Sequence, residues 1–482
     1  MRTRLAWPEG VAKIHEASLD ILEEVGVRVP SKTGRKVLAD HGCTPASGET
    51  IVKLPRAMVL EALSRAPRSF TLAGRDVADD LVVGSGRSHL ATDGCVHRVI
   101  DFESGIERHG TTADVAAMAQ IADALPSIDI VSPMAAAEDQ PPSLRGLHEV
   151  AACLANTSKH VLFVRAASAA EVTAIVELAA VVAGDDSLLR RRPIISALVP
   201  TASPLGLDGG ALEAGLAFGR HGIPVGYYSL PLMAINAPLS VAGCATVYNT
   251  EIIAAIVIHQ LASPGAPVFY AAAPGSVSLK TAEFVAGTPE SVLARALVPR
   301  LAAHSGLPSV CGGDVTAAKT PDSQAAWENA AGMLTQTLAG ADVLFGAGLL
   351  DGSQILAYEQ LVIENELAGM VRRLTEGVNV DDETLALPLI KEMAFRGDYL
   401  GTRHTRDHGH ALWTHGQMGD HGTFAGWDAA GRPDAVDQAR QEVRRILGPP
   451  AADRTGWGGA CVTPEQETTM AAVIARATEQ LS

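Results

Sequence analysis

Eight short β-rich segments alternate with helical segments between residues 88 and 380, and this alternation leaves few folds open to the chain. The residues between the segments carry apolar side chains at helical spacing, and the segments end in glycine, proline or polar residues. The predicted strands are Ser88–Gly94, Ile128–Met134, His160–Ala166, Ile194–Pro200, Pro224–Leu230, Pro267–Ala273, Pro308–Gly313 and Asp342–Gly348. Eight strand–helix units match a closed (β/α)8 TIM barrel, for which about 250 residues plus insertions are usual.

A doubly wound open sheet is the structural alternative, because it also alternates strands with helices. Dinucleotide-binding folds of that kind carry a Gly-x-Gly-x-x-Gly turn after the first strand. No such turn follows Ser88–Gly94. We therefore predict an α/β protein built on a TIM barrel.

Two regions flank the predicted barrel. Residues 1–87 show amphipathic helical patterns at 11–27 and 54–63, which predict a helical cap. The segments predicted to form a small β meander beside this cap are Phe70–Leu72, Leu81–Val83 and Val96–Asp101. Residues 88–380 are the predicted catalytic barrel, and residues 381–482 are a polar C-terminal extension that we expect to pack on it.

Composition excludes several classes of partner. The chain has 54 acidic and 38 basic residues and a formal net charge of -16, so nucleic acid would be repelled. The longest apolar stretch, Val241–Ala262, contains Asn249, Glu251 and His259, which are costly in lipid. The six cysteines are scattered without CxxC pairs, and no apolar leader follows Met1. These features predict a soluble cytoplasmic protein without membrane segments, disulfides or a tightly bound metal.

Aromatic residues are only 4% of the chain, yet several of them fall on the predicted strands. They are Phe163, Tyr227, Tyr228, Phe269, Tyr270 and Phe345. Active sites of TIM barrels lie at the carboxyl ends of the strands, and aromatic faces attract quaternary ammonium groups. We predict that Tyr227, Tyr270, Phe345 and Phe163 bind substrate there. The alternative is that these rings only fill the core, since alternation allows one residue of each adjacent pair to point inward.

Two glycine-rich strand ends suggest a cofactor contact. Gly312-Gly313 and Gly346-Ala347-Gly348 end the seventh and eighth predicted strands, where barrels often bind phosphate through backbone amides. On this basis Gly312, Gly313, Gly346 and Gly348 are predicted cofactor-binding residues. Tight turns that leave a strand explain the same pattern.

The candidate carboxylates are Asp93, Glu251, Asp314, Asp351, Glu364 and Glu366. Glu251 lies within an apolar helix, where an unpaired charge is expensive, so it must have a partner. We predict catalytic roles for Asp314 and Glu251. Glu364-Asn365-Glu366 is interpreted as a solvated helix face.

A histidine-rich segment follows residue 400. His404, His408 and His410 have spacings that could bind a metal, but zinc needs further ligands and a supporting shell. Polar contacts at the barrel mouth or at a subunit interface are the favoured interpretation. We assign His404 and His408 to contacts with a cofactor-bearing partner.

Taken together and in order, a set of short motifs resembles the trimethylamine methyltransferase family over residues 9–448. The motifs are Asp101–Gly105, Ile121–Asp129, Ala237–Gly243, Asn249–Glu251, Gly306–Pro308, Gly312–Gln324, Gly346–Gly348, Leu361–Glu366, and Tyr399-Leu400 with His404, Thr405 and His408. Archaeal members carry pyrrolysine, whereas this chain has only the standard residues and looks like the bacterial branch. Phe345 stands where many members have histidine or another polar residue, so the individual amine is left open.

The resemblance implies an activity and its partners. Members of the family are oligomeric TIM barrels that move a methyl group from a small methylated amine to the cob(I)alamin of a separate corrinoid protein. A betaine-like quaternary amine leaves as a neutral tertiary amine and needs no proton, whereas a tertiary amine must first be protonated. The protein then supplies orientation, charge and exclusion of water.

Two other functions remain open from the residues alone. The glycine pairs also suit a phosphate-binding barrel lyase or aldolase, for which Lys319 is the nearby Schiff-base candidate. A barrel that binds a betaine without chemistry is the non-enzymatic alternative. Only the methyltransferase predicts methyl transfer to a reduced corrinoid.

Overall fold

Helices and short strand pairs precede the barrel in the computed structural model, which describes residues 8–45, 49–166, 168–313, 315–409, 418–448 and 461–481. In chain order these elements are α1 (Pro8–Glu24), β1 (Val27–Arg28), α2 (Lys32–Asp40), β2 (Ile51–Val52), α3 (Arg56–Arg65), β3 (Phe70–Leu72), a 3-10 turn (Val77–Asp79) and β4 (Leu81–Val83). Helices α1 and α3 occupy the two segments that showed amphipathic patterns. Ser31 caps α2 by accepting a hydrogen bond from the Gly34 amide.

The strands and helices of the barrel region follow. They are β5 (His89–Thr92), β6 (Arg98–Ile100), β7 (Glu107–His109), α4 (Thr112–Ala124), β8 (Ile130–Val131), α5 (Arg145–Asn156), β9 (His160–Phe163), α6 (Ala169–Ala183), α7 (Asp186–Arg191), β10 (Ile195–Pro200), α8 (Gly209–Arg220), β11 (Val225–Ser229), α9 (Val241–Ala262), β12 (Val268–Ala272), β13 (Ser276–Val277), β14 (Phe284–Val285), α10 (Pro289–His304), β15 (Ser309–Gly312), α11 (Ser323–Ala339), β16 (Val343–Ala347), β17 (Leu349–Leu350), β18 (Ile355–Leu356) and α12 (Tyr358–Thr375).

Eight parallel strands close the barrel in the order β5-β8-β9-β10-β11-β12-β15-β16, and β16 pairs with β5. Each lies inside one of the eight predicted segments, so the predicted TIM barrel is confirmed. The closing pair has a bulge, because the register shifts between Phe345 and Ala347 and leaves Gly346 unpaired at φ 145°. A closed parallel barrel has no free edge, and its helices cover the outer face.

Side chains on each barrel strand alternate between two cores. On β12, Phe269 and Ala271 point into the barrel, while Val268, Tyr270 and Ala272 pack against the surrounding helices. The hairpin of β3 and β4 closes the barrel at the amino ends of the strands, since Leu72 and Val83 belong to the inner core. Within the described part of the chain this hairpin blocks the amino end and leaves the carboxyl end for a ligand.

The long apolar helix α9 is a core helix. It is long and apolar enough to cross a membrane, but most of it is buried. Helices α1, α2 and α3 pack on its outer side and α10 packs beside it. The N-terminal helices thus cover the outer side of this long apolar helix.

A second small sheet lies at the carboxyl ends of the barrel strands, in the order β17-β18-β6-β7. The predicted meander is therefore wrong in its third strand. Strands β3 and β4 pair with each other at the amino end, whereas β6 pairs with β7 and β18 at the other end. The connection through β5 carries the chain from one end of the barrel to the other.

The C-terminal region contains α13 (Asp382–Leu385), α14 (Leu387–Met393), α15 (Arg403–His408), α16 (Phe424–Ala429), α17 (Ala435–Leu447) and α18 (Pro464–Leu481). Helix α17 packs on α12 and α4, and α18 packs on α6 and α5. Residues 376–408, called the arm below, follow the end of α12, where Arg372 contacts Ser127 and Asp129 beside the amino end of β8.

Buried histidines make stability depend on pH. Burial lowers the pKa of His160 and His259 to about 4, and burial together with His304 lowers that of His15 to about 4. The unfolded chain, with histidine pKa values near 6.5, binds more protons than the folded chain as the pH falls. We expect each fully buried histidine to cost about 1 to 2 kcal/mol of folding stability between about pH 7.5 and about pH 5.5.

Urea unfolding of the variant His259→Gln over this pH range checks the expectation, because glutamine cannot be protonated. The dependence of unfolding free energy on pH should become shallower than in the wild type. His41→Gln is the matched control, since His41 is exposed at the end of α2. Equal slopes in the wild type and in His259→Gln would contradict the assignment.

Candidate active site

A cavity of about 950 Å³ opens at the carboxyl ends of the barrel strands. Leu198, Tyr228 and Phe345 line its inner part, and they continue the core that fills the barrel. Polar and charged residues from several strand ends and loops complete the lining. Among them are Asp93, Cys95, Arg165, Arg295, Lys319, Asp351 and Ser353. This is the end of the barrel at which the sequence predicted the site.

Asp93 is the buried acid of this cavity. It follows β5, and its own amide donates to the carbonyl of Ala347 on β16 at 2.9 Å. Its carboxylate accepts a hydrogen bond from Ser353 Oγ at 2.5 Å and one from the Gly94 amide at 2.8 Å. Burial raises the pKa of Asp93, while these two hydrogen bonds and the nearby charge of Arg295 oppose the rise.

Arg295 brings a positive charge to the same cavity. It lies on α10 among apolar residues, its side chain is 2% exposed, and its Nε donates to the carbonyl of Pro274 at 3.2 Å. A guanidinium this buried is expensive unless charges and hydrogen bonds compensate it. Burial raises the pKa values of Asp93 and Tyr228, and the charge of Arg295 opposes this rise. The cavity therefore presents both signs of charge.

Two aromatic rings meet edge to face in the cavity. Tyr228 and Phe345 have ring centroids 5.9 Å apart at an interplanar angle of 84°. Phe345 was predicted to bind substrate, and the structure places it in the lining. The predicted Tyr227 does not reach the cavity, because its neighbour Tyr228 takes the inward position and Tyr227 Oη lies 2.9 Å from His259 Nδ1 on α9. The choice within this pair was wrong.

Tyr270 and Phe163 were also wrongly placed in the pocket. Tyr270 points outward and donates to Asn249 Oδ1 at 2.8 Å, a contact between β12 and α9. Phe163 is buried against α5, where a Cβ added at Gly146 would lie 2.9 Å from its ring. Both rings hold helices to the barrel wall, which is the alternative that the alternation allowed.

Glu251, a predicted catalytic residue, is not among the residues that line the cavity. Its carboxylate accepts hydrogen bonds from Thr201 Oγ1 at 2.7 Å, Ser203 Oγ at 2.8 Å, the Leu205 amide at 2.9 Å and Ser229 Oγ at 2.7 Å. Burial raises the pKa of Glu251, and these four donors oppose the rise. Its role is to fix the loop after β10, so the implied partner exists but is structural.

The glycines predicted to hold a cofactor do not form an open amide cradle. The Gly313 amide donates to the Phe345 carbonyl at 2.7 Å, and the Gly348 amide donates to the carboxylate of Glu364. Gly312 lies within β15, where an added Cβ would come within 2.3 Å of the Ala273 Cβ. Gly346 forms the bulge between β16 and β5. Gly312 and Gly346 allow close packing and the bulge. The amides of Gly313 and Gly348 already donate hydrogen bonds within the protein, so they are not available to a phosphate.

Glu364 was interpreted as part of a solvated face, and this was wrong. It is 1% exposed and accepts hydrogen bonds from Asn329 and Gln360 as well as from the Gly348 amide. It thereby joins α11 and α12 to the end of β16. Asp314, the other predicted catalytic residue, lies outside the described residues, and its role stays a prediction.

The structure does not place His404 or His408 in the lining of the cavity. Both lie on α15, their rings stack 4.0 Å apart, and the His408 Nδ1 contacts the His404 carbonyl at 3.0 Å. Their predicted contact with a cofactor-bearing partner stays a prediction. His410 lies outside the described residues, and the described residues contain no group of three metal-binding side chains.

Sequence reasoning missed Arg295, Tyr228 and Ser353. Arg295 does have a signal in the sequence, because it is a charged residue inside the apolar stretch of α10. The same reasoning applied to Glu251. The inward position of Tyr228 had no signal in the sequence. It shows only in the structure, where a Cβ added at Gly226, two residues earlier on β11, would strike Leu198 inside the barrel. Ser353 had no local signal, since its partner Asp93 is 260 residues away in the chain.

Comparison with known proteins gives the family. A sequence model described as trimethylamine methyltransferase (MTTB) matches residues 2–456. The trimethylamine methyltransferase MttB of Desulfitobacterium hafniense is 32% identical over 440 residues, which cover 91% of this chain and 88% of the relative. The glycine betaine methyltransferase of the same species is 28% identical over 450 residues and 92% of each chain.

A solved structure shows the same fold. The crystal structure of the Methanosarcina barkeri monomethylamine methyltransferase aligns with a TM-score of 0.52 and 15% identity, over 90% of this chain and 87% of that chain. At this identity the likeness concerns the fold alone. Together with the match over residues 2–456, these findings show that the chain belongs to the trimethylamine methyltransferase family and is an enzyme of the methyltransferase class.

Proposed function

We propose that this enzyme takes a methyl group from a small quaternary amine that also carries an anionic group, as a betaine does, and passes it to a corrinoid held by a partner protein. The observation that supports the choice of amine is that Arg295 and Asp93 line one cavity together with two aromatic rings. Relatives named for trimethylamine and for glycine betaine both occur in the family.

A zwitterionic amine matches this lining group by group. The guanidinium of Arg295 suits a carboxylate, which it can contact through paired N–H groups. The faces of Tyr228 and Phe345 suit a methylated ammonium, with a gain of about 0.5 to 2 kcal/mol per desolvated ring contact. The carboxylate of Asp93 adds a negative charge near the same place. An amine without a carboxylate would make no such contact with Arg295.

Methyl transfer from a quaternary amine requires the protein only to position the substrate and to provide complementary charges. A quaternary amine that loses a methyl group departs as a neutral tertiary amine, so no proton has to be supplied. The side chains would hold the ammonium with one methyl group toward the mouth and keep water away from it. Two charges that are fixed before the substrate arrives need no reorganisation during transfer.

The mouth offers apolar side chains to a corrinoid acceptor but no free glycine amides at Gly313 and Gly348. The rim of the mouth and its loops expose the apolar side chains of Leu230, Ile235, Leu239 and Leu279, which suit the approach of a flat macrocycle carried by another protein. The amides of Gly313 and Gly348 are already bonded and would not hold a phosphate. When bound, cob(I)alamin supplies the nucleophile that accepts the methyl group.

The lyase alternative is not supported by its key residue. Lys319 Nζ lies 2.6 Å from Asp351 Oδ1, donates to the Ala317 carbonyl at 2.7 Å, and is 67% exposed. A lysine that forms Schiff bases must be neutral and is usually desolvated. An exposed, ion-paired ammonium is poorly suited to that reaction.

Replacing Arg295 with methionine tests the proposed substrate class. We expect Arg295→Met to weaken the binding of glycine betaine by about 10- to 100-fold, because a hydrogen-bonded charge contact is lost. Tetramethylammonium, which lacks the carboxylate, should be affected less than about twofold. Isothermal titration with both ligands gives the two affinities.

Arg300→Met is the matched control, because Arg300 lies on the same helix and is exposed. It should leave both affinities unchanged. If Arg295→Met weakened the binding of both ligands equally, Arg295 would only shape the cavity, and the proposed carboxylate contact would be refuted.

We also propose that the protein self-associates through the arm. The arm exposes large apolar side chains along its length, namely Val378, Val380, Leu385, Leu387, Ile390, Phe395 and Leu400. Single chains rarely expose so many in one segment, whereas interfaces between subunits commonly bury them. A second copy of this chain is the partner that the family resemblance implies.

Sedimentation velocity tests the arm. The double variant Phe395→Asp, Leu400→Asp should sediment as a smaller species than the wild type at the same concentration, because burying two added charges at an interface is costly. Val77→Asp is the control, since Val77 is exposed on the 3-10 turn before β4. An unchanged sedimentation coefficient in the arm variant would refute this interface.

A further inference from the structure

The turn between β17 and β18 is the most strained backbone at the cavity. Asp351, Gly352 and Ser353 are consecutive residues with φ of 53°, 63° and 61°. Only glycine adopts this left-handed region freely, and each other residue held there costs about 1 to 3 kcal/mol. All three residues line the cavity. Strain of this kind persists only where surrounding contacts impose it.

Several contacts impose the strained conformation. The Asp351 amide donates to the Ala318 carbonyl at 2.8 Å, and the Gly352 amide donates to the Thr316 carbonyl at 2.7 Å. The Asp351 side chain forms an ion pair with Lys319 at 2.6 Å. The turn is thus attached to the loop after β15 by its backbone and by one charged side chain.

This attachment places the side chain of Ser353 against Asp93, the buried acid of the cavity. Ser353 Oγ donates to Asp93 Oδ2 at 2.5 Å, while the Gly94 amide donates to Oδ1 at 2.8 Å. Each oxygen of this carboxylate therefore has one donor, and its plane is fixed. The charged and titratable groups that act on it from other elements are Arg295 on α10 and Tyr228 on β11.

We propose that Ser353 is a positioning residue, which the strained turn holds against Asp93 so that the carboxylate faces the cationic amine and does not turn toward Arg295. This inference rests on the proposed function, because it assigns a role to the lining of that same site. A zwitterionic ligand needs the two charges of the site kept apart. The hydrogen bond from Ser353 holds one oxygen of the Asp93 carboxylate in place.

Two substitutions at one position separate the hydrogen bond from the strain. Ser353→Ala removes the hydroxyl and keeps a side chain at positive φ, whereas Ser353→Gly removes the hydroxyl and relaxes the backbone. We expect Ser353→Gly to melt at the same temperature as the wild type or higher. Both variants should nevertheless weaken glycine betaine binding by about tenfold, which is the loss expected for a hydrogen bond to a charged group.

The ionisation of Asp93 provides a readout that does not depend on activity. Carbon-13 NMR of the protein labelled at aspartate carboxyl groups, with the Asp93 signal assigned through Asp93→Asn, follows this group without any ligand. Both Ser353 variants should raise the pKa of Asp93, because a donor to the charged form is removed. Ser85→Ala, a change in an exposed turn at the amino end of the barrel, should leave it unchanged.

The outcomes distinguish this inference from the proposed function. An unaltered Asp93 titration in both variants would overturn the positioning role, whatever the enzyme binds. A raised Asp93 pKa together with weaker glycine betaine binding in both variants supports it. If the titration shifts but the wild type binds no betaine, Ser353 still positions Asp93, and only the proposed substrate class fails.

Discussion

The two-residue alternation of side chains along closed, parallel strands is the constraint on which the rest of the structure depends. Each barrel strand sends one set of side chains to the inner core and the other to the helices, so adjacent residues cannot share a task. On β11 this rule gives Tyr228 to the cavity and Tyr227 to the helix α9. The hairpin of β3 and β4 covers the amino end, and the cavity opens at the carboxyl end.

The cavity combines features that are individually expensive. A carboxylate and a guanidinium are buried within an apolar barrel, and two non-glycine residues next to them hold a left-handed backbone. Other contacts reduce each of these costs. Hydrogen bonds fix the Asp93 carboxylate, and the charges of Asp93 and Arg295 partly compensate each other. The loop after β15 holds the strained turn. A site arranged in this way can bind a ligand that carries both charges with little reorganisation.

Much of the fold could be predicted from the sequence because it repeats a local pattern. Eight strands, the closed barrel and the end that carries the site follow from alternation and from the rule for TIM barrels. Alternation relates neighbouring residues but does not fix which of Tyr227 and Tyr228 points inward, and that depends on packing. The sequence correctly indicated that Glu251 is buried and needs a partner, but it did not indicate that Glu364 is buried. In the structure Glu251 holds a loop and Glu364 holds a strand end. Ser353 meets Asp93 only because β17 and β5 end at the same side of the barrel, a relation that no local sequence pattern contains.

The proposed zwitterionic substrate is tested most directly by comparing methyl donors with the wild-type enzyme. Free cob(I)alamin serves as the methyl acceptor, and its absorbance follows the transfer. We expect faster transfer from glycine betaine than from tetramethylammonium or trimethylamine, because only the betaine engages Arg295 as well as the aromatic rings and Asp93. Equal or faster transfer from tetramethylammonium or trimethylamine would contradict the assignment of this cavity to a zwitterionic amine.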